Sequence, residues 1–424
     1  MRLSMVTFGS RGDIEPFVTL GKALVNVGHE VRLLTHPEYV SLAEGTGVEM
    51  VAARGRSTRE LIESDEGREV LRHVRNPLAM LRRVADLLAP ELHLVYEDML
   101  RVAVDADAVL AFPATFPALD VADHLGRPIV HVHHVPAMPT RNFPAAAPYI
   151  NVRTLTPLGN RASYTLDAWV LWRLTRQAVT RARSAVLGPL SGAFTAQRAL
   201  GQRRRRAGAI IGVSPHVLPP PRDWPRDVVA CGYWWPASAP VKALDPSTEA
   251  FLAGGPPPVF FGLGSTPLAD SAAAVTRDVI TAARDAEVRL VLQRGWAGLG
   301  DGVDAPNVHV IGDMPYDAIF PRVAAVAHHG GAGTTALGLR HGRPTLCVPA
   351  LADQFFWGHR IAESGAGPAP LPLKRLTRSR LAQRLAALVE NQGYYSRASA
   401  LAPALASEDG SSVAVAAIER FLTV

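Results

Sequence analysis

Short apolar runs recur along the chain, each closed by glycine, serine or proline and followed by residues with helical spacing. Residues 2–8 read as a strand, 9–13 as a turn, 16–27 as a helix stopped at Gly28, and 30–35 as a second strand. That is the opening βαβ unit of a doubly wound sheet. Residues 57–104 carry helical patterning with breaks at Pro77 and Pro90, and 107–112 and 128–132 read as further strands. Residues 136–159 lack periodicity and are rich in Pro, Ala and Asn, the pattern of a long loop that serves as a lid or binding loop. Helices are expected over about 163–200, and 209–213 and 228–231 as short strands.

The pattern then starts again. From Trp235 to about residue 257 there are prolines and alanines but few periodic apolar positions. Residues 258–263 begin a second strand, with Gly262, Gly264 and Ser265 in its turn, and strands at 289–293, 308–311, 323–327 and 345–348 alternate with helical segments. The expected organisation is a first α/β domain at 1–235, a linker at 236–257, a second α/β domain at 258–405 and a terminal amphipathic helix within 406–424. No repeat of solenoid period is present.

Composition narrows the class. A chain of 424 residues is too long for one compact core, and 48% hydrophobic with 19% charged residues is the balance of a soluble globular protein. The formal charge of +6 mildly favours anionic ligands and does not require nucleic acid. Only Lys22, Lys242 and Lys374 are lysines, and the excess of Arg, Ala and Pro points to the coding bias of a GC-rich, actinobacterial source. The two cysteines, Cys231 and Cys347, lie beside apolar strands and read as buried free thiols. Neither a leader peptide nor a membrane span is visible, so a cytoplasmic protein without stable membrane insertion is expected, as monomer or homodimer.

The stretch 326–354, VAHHGGAGTTALGLRHGRPTLCVPALADQ, carries the chemistry. A buried strand ends at His328 and His329, a glycine turn follows, and a helix begins. Such a turn offers backbone N–H groups and the positive end of a helix dipole to an anion. The glycines permit close approach by a phosphate, with Thr334 and Thr335 as hydroxyl donors and His329 beside them. After the break at Gly342 and Pro344, the next strand leads to Asp353 and Gln354, a polar pair suited to hydroxyl groups. Parallel sheets bind ligands at that strand end. The plainer alternative is a glycine turn with capping threonines and no ligand.

This stretch resembles the donor-binding motif of family 1 glycosyltransferases, particularly vancomycin-group natural-product enzymes and sterol glucosyltransferases. The resemblance covers most of the chain and is strongest at residues 1–35 and 255–370. It implies the GT-B fold, an α/β architecture of two Rossmann-like domains facing each other across a cleft. The terminal helix would cross back onto the first domain. It further implies metal-independent, inverting transfer from a UDP- or dTDP-sugar, with no cofactor beyond that donor. His329, Gly331, Gly333 and Thr334 would hold the diphosphate, Asp353 and Gln354 the sugar, and the loop backbone near Met314 the pyrimidine. Ser265 would touch phosphate or cap its helix, and Trp296 would stack near the base or pack in the core. Many relatives place a ribose-binding Glu where this chain has Leu337.

Sugar transfer also needs a base for the acceptor hydroxyl. Asp13, in GSRGD after the first strand, should face the crevice, and the matching aspartate is the suspected base of vancomycin-group enzymes. Its alternative is an N-cap for a helix starting near Pro16. Ser10 would shape the same loop, and His133 and His134 would line the acceptor pocket or supply a second base. His131 and His133 share a strand face, but no acidic or cysteine partner makes them a metal site. Asp105 and Asp107 form a D-x-D match at the wrong strand end for a ligand and read as solvated. Leu166, Trp169, Val170 and Trp172 read as helix packing, with an acceptor wall or membrane-touching face as alternatives, and 203–206 as a solvated arginine run. The resulting expectation is glycosylation of a small hydrophobic acceptor such as a polyketide or glycopeptide aglycone. Rivals are a sterol or cell-surface lipid acceptor, a non-catalytic sugar-nucleotide-binding protein and a nucleotide-sugar 2-epimerase.

Overall fold

The computed structural model describes residues 1–71, 77–112, 115–147, 150, 153–189, 206–236, 244–268, 272–351 and 353–423. Two parallel sheets carry the chain. The first has seven strands in the order β3-β2-β1-β4-β5-β6-β7, formed by β1 (Arg2–Val6), β2 (Glu30–Thr35), β3 (Glu49–Ala52), β4 (Ala108–Ala111), β5 (Ile129–His133), β6 (Arg206–Ile211) and β7 (Val228–Ala230). The second has five in the order β10-β9-β8-β11-β12: β8 (Val259–Gly262), β9 (Leu290–Gln293), β10 (Val308–Ile311), β11 (Ala325–His328) and β12 (Thr345–Cys347). In each sheet the order reverses beside the first strand of its half, β1 or β8. Such a switch point opens a crevice at the carboxyl ends of the strands.

The strands are near-continuous apolar runs because helices cover both faces. Helix α1 spans Arg11–Asn26, several residues ahead of the start that Pro16 suggests. Ser10 is the N-cap, and its backbone N–H donates to Asp13 Oδ2 at 2.8 Å, which satisfies one orphan donor and lets the helix begin before the proline. The long helix α2, Pro157–Leu187, starts on Thr156, whose side chain accepts from Gly159 N. The presumed linker holds a helix, α3 (Pro246–Ala253): Asp245 accepts from Thr248 N at 2.9 Å and Thr248 Oγ1 at 2.6 Å, with Pro246 at the first helical position. Positions 190–200 of the expected helices and 203–205 of the arginine run fall outside the described residues, and Arg206 pairs with Asp227.

Helix α4 (Ala332–Arg340) follows β11, α5 (Gln354–Ser364) follows β12, and α6 (Gly410–Leu422) ends the fold. Helix α6 lies on α1, sharing one apolar cluster in which Ala414, Val415 and Ile418 meet Ile14, Phe17 and Leu24. Just before it, Glu408 accepts from Ser214 Oγ at 2.5 Å and from Tyr233 N at 3.3 Å. An apolar seam of Ile211, Val213 and Tyr233 with Ala336, Trp357 and Leu405 joins the halves. The Phe421 ring presses on Gly208 so closely that an added Cβ would sit 2.3 Å from it. Gly208→Ala is therefore expected to destabilise the fold by about 1–3 kcal/mol through overpacking. Phe421→Ala in the same chain should recover part of the loss, both read by thermal melting.

Candidate active site

β11 ends inside the second half, and the glycine turn leads into α4. Gly331 is the N-cap of α4 and no side chain caps the helix, so its first N–H groups have no partner from a cap. A Cβ added at Gly333 would meet nothing within 4 Å, whereas one at Gly331 would sit 2.5 Å from His329 Nε2. The helix start thus opens onto free space, with the His329 ring laid directly against the turn. Burial pushes the His329 pKa down to about 4, so the ring is neutral at pH 7, and its Nδ1 has no hydrogen-bond partner. A neutral imidazole with a free nitrogen, together with exposed helix N–H groups, is a set of donors for an anion.

Neighbouring loops close on the same place. Trp296 N–H donates to Gly264 O at 2.9 Å, tying the loop after β9 to the turn that carries Ser265. Tyr316, which the sequence reading passed over, donates from its hydroxyl to Gln293 Oε1 at 3.0 Å and also meets the Thr334 side chain. The Thr334 hydroxyl is thereby engaged by the wall, which leaves its backbone N–H for a ligand. Leu337 packs with Phe260, Ile311, Val326 and Met314 in an apolar cluster. That position offers no polar contact to a ribose, and the Met314 side chain is likewise turned inward.

Gln354 has a second role. Its Oε1 accepts from Ala350 N at 2.8 Å and Leu351 N at 3.1 Å, and its Nε2 donates to Thr266 Oγ1 at 3.3 Å. The amide holds the loop in shape, and one amide hydrogen remains for a sugar. Asp353 accepts from Trp357 Nε1 at 2.9 Å through Oδ2.

Across the gap stands the turn after β1. Asp13 Oδ2 accepts from Ser10 N at 2.8 Å and Ser10 Oγ at 3.0 Å, and Oδ1 faces His134 Nε2 at 3.1 Å. Asp13 is therefore a first-turn residue of α1 bound to its N-cap, and 34% of its side chain stays exposed. Burial alone would raise its pKa; the hydrogen bond and charge of His134, then Ser10, outweigh this and hold it below the usual carboxylate range. For His134, burial pulls the pKa down, but the bond and charge of Asp13, with Asp353 adding to them, raise it overall. His133 lies deeper than expected: it is 1% exposed, edge-on to Phe112 at 5.7 Å, with neither ring nitrogen bonded. Phe112 also covers His134 at 5.3 Å, so only the second histidine of the pair reaches the Asp13 side.

The two halves confront each other here. Asp353 is half-buried, and desolvation raises its pKa against the opposing Trp357 hydrogen bond and His134 charge, with the Asp13 charge adding to the rise. Arg11 lies within electrostatic reach of Asp313 and Tyr316, and the Arg59 guanidinium sits over the Trp296 ring at 5.9 Å. Further along, Arg153 pairs with Glu363 at 2.7 Å, and Phe143 packs edge-on against Phe356 at 5.3 Å. The 136–159 segment is thus fastened to α5, the helix that begins beside Asp353.

Family models match both halves: the glycosyltransferase family 28 N-terminal domain over residues 3–97, and the erythromycin biosynthesis protein CIII-like C-terminal domain over 278–419. The chain is 34% identical over 432 residues to the O-mycaminosyltylonolide 6-deoxyallosyltransferase of Streptomyces fradiae, covering 99% of this chain and 97% of that one. The chain belongs to the GT-B glycosyltransferases. It is also 34% identical over 436 residues to a sterol 3-beta-glucosyltransferase of Arabidopsis thaliana and 30% over 437 to that of Emericella nidulans. All of this chain is covered in both, but it spans 68% of the plant relative and 30% of the fungal one. Among solved structures, the kitacinnamycin glycosyltransferase matches with a TM-score of 0.67 at 21% identity, covering 99% of both chains. The glycosyltransferase VinC in complex with dTDP matches with 0.64 at 21% identity, covering all of both.

Other motifs of this glycosyltransferase fall away from the cleft. Asp105 pairs with Arg2 at 3.2 Å and Arg32 at 2.6 Å, and Asp107 accepts from Arg2 N at 2.7 Å, at the amino ends of the strands. Among the described residues, no group of three or more His, Cys, Asp or Glu side chains is placed to hold a metal, and no helix is long and apolar enough to cross a membrane. Cys231 and Cys347 are buried and free, their thiols pushed up to about 12 by burial. Trp172 packs edge-on against Phe116, whereas Leu166 and Trp169 are half exposed, so the α2 cluster is only partly interior.

Proposed function

We propose that this glycosyltransferase moves a sugar, with inversion and without a metal, from a UDP- or dTDP-sugar to a hydroxyl of a small hydrophobic acceptor. What supports this is the uncapped start of α4, with open space at Gly333, in the half whose Asp353 lies within electrostatic reach of Asp13 and His134. The acceptor hydroxyl gives its proton to the Asp13 carboxylate as its oxygen bonds to the anomeric carbon. The bond from that carbon to the diphosphate oxygen breaks, and its electron pair leaves with the diphosphate. The N–H groups at Gly333 and Thr334, with neutral His329, receive that charge. Asp353 holds sugar hydroxyls, and His134 keeps Asp13 ionised and oriented.

Relatives named for macrolide and sterol acceptors support a rigid, largely apolar alcohol, and the arginine-rich coding bias favours a bacterial secondary metabolite. A relative solved with dTDP supports a pyrimidine nucleotide donor. The test is incubation with a panel of UDP- and dTDP-sugars and polycyclic or macrocyclic alcohols, with chelator present, and NMR of the product. A glycoside of inverted anomeric configuration is expected. Donor binding without turnover would instead identify a non-catalytic binder, and isomerised donor without acceptor an epimerase.

A further inference from the structure

β11 ends at His328 and His329 follows it, their rings at 87° to one another and 5.7 Å apart. His329 lies on the turn; His328 points into the protein and is fully buried, its backbone between Gly262 of β8 and Cys347 of β12. The Nδ1 of His328 is 3.0 Å from the Gly330 amide nitrogen. A backbone N–H only donates, so Nδ1 carries no proton and accepts. The ring proton is then on Nε2, which faces Thr335 Oγ1 at 3.5 Å and Cys347 Sγ at 3.9 Å. Burial, and to a lesser degree His329 nearby, holds the His328 pKa well below its usual value, which preserves this neutral form.

The ring therefore bridges two parts of the same cradle. Gly330 has φ +97°, a left-handed conformation that glycine accepts, and a Cβ there would sit 2.8 Å from Gln354 O. Thr335 is fully buried in the first turn of α4. Between these anchors lie Gly331 to Thr334, the start of α4 that no side chain caps, with open space at Gly333. Neither anchor reaches that space itself. We infer that His328 is a positioning residue for the donor diphosphate, holding the glycine turn in register with the start of α4 without touching substrate. This rests on the reading of the Gly331–Thr334 cradle as the diphosphate site.

The test compares wild type with His328→Asn, whose amide oxygen falls near the place of Nδ1, and His328→Leu, which fills space but accepts nothing. Binding of UDP and dTDP is followed by calorimetry, turnover by kcat and donor KM, and folding by thermal melting. The Leu variant is expected to weaken nucleotide binding and raise donor KM about tenfold or more, with kcat within about threefold. The Asn variant should return within about threefold of wild type. Thr335→Val, which removes only the Nε2 partner, should give a smaller change in the same direction and serves if the Leu variant does not fold. Unchanged binding in the Leu and Val variants, or equal damage by Asn and Leu, would overturn the role of His328. Failure of the wild type to bind either nucleotide would overturn the diphosphate reading beneath it.

Discussion

Asp13→Asn is expected to lower kcat by about 10²–10⁴-fold, the range that a lost general base removes, while nucleotide binding stays within a factor of about three. Asparagine keeps an acceptor oxygen for the Ser10 N–H that starts α1, so the fold should survive. The pH profile carries the second half of this result. The wild-type carboxylate is held below the usual range by His134 and Ser10 against the opposing effect of burial. Activity should thus persist in mildly acidic solution and fall only as pH drops through that depressed pKa. His134→Gln removes the imidazolium charge. Burial then weighs more, the Asp13 pKa rises, and the acidic limb of kcat/KM should move to higher pH. An acidic limb that stays in place in His134→Gln would refute the pairing as the means of keeping Asp13 ionised.

Gly333→Asp should weaken donor binding by a different route. The position has room for a side chain, so melting behaviour should match wild type. A carboxylate there would occupy the anion's place at the helix start and satisfy the N–H groups that the diphosphate would meet. A charge interaction at a partly buried helix terminus is worth up to about 2 kcal/mol, so nucleotide affinity should fall by up to about 30-fold. Gly333→Ala, which adds bulk without charge, should cost far less. Equal losses in the two variants, measured by calorimetry with UDP and dTDP, would show that space rather than charge governs the site.

Much of this was legible in sequence because it is local. The βαβ openings, the glycine turn and the strand leading to Asp353 are each written within a few residues, and the parallel sheets follow from them. What escaped depends on partners distant along the chain. That Gln354 also holds its loop shows only once Ala350, Leu351 and Thr266 are placed against its amide. The pairing of Asp13 with His134 needs β1 and β5 on opposite sides of β4, which no spacing reveals. Tyr316 sits in an ordinary turn-to-helix sequence, and its value comes only from Gln293 and Thr334. Pro16 suggests a later start for α1 than the one the Ser10–Asp13 capping box sets, although serine followed three residues later by an acid is a readable signal. The Asp245 cap inside the presumed linker was the same kind of signal, overlooked amid prolines and alanines.

At Glu408 the polypeptide meets the first half again, and its carboxylate grips Ser214 and the Tyr233 amide. That grip and the apolar seam of Ile211, Val213 and Tyr233 with Ala336, Trp357 and Leu405 tie the halves along one side, so the wall bearing Asp13 is held in register with the half that carries the helix start. Fixed register of this kind is what the proposed displacement at a single carbon would demand.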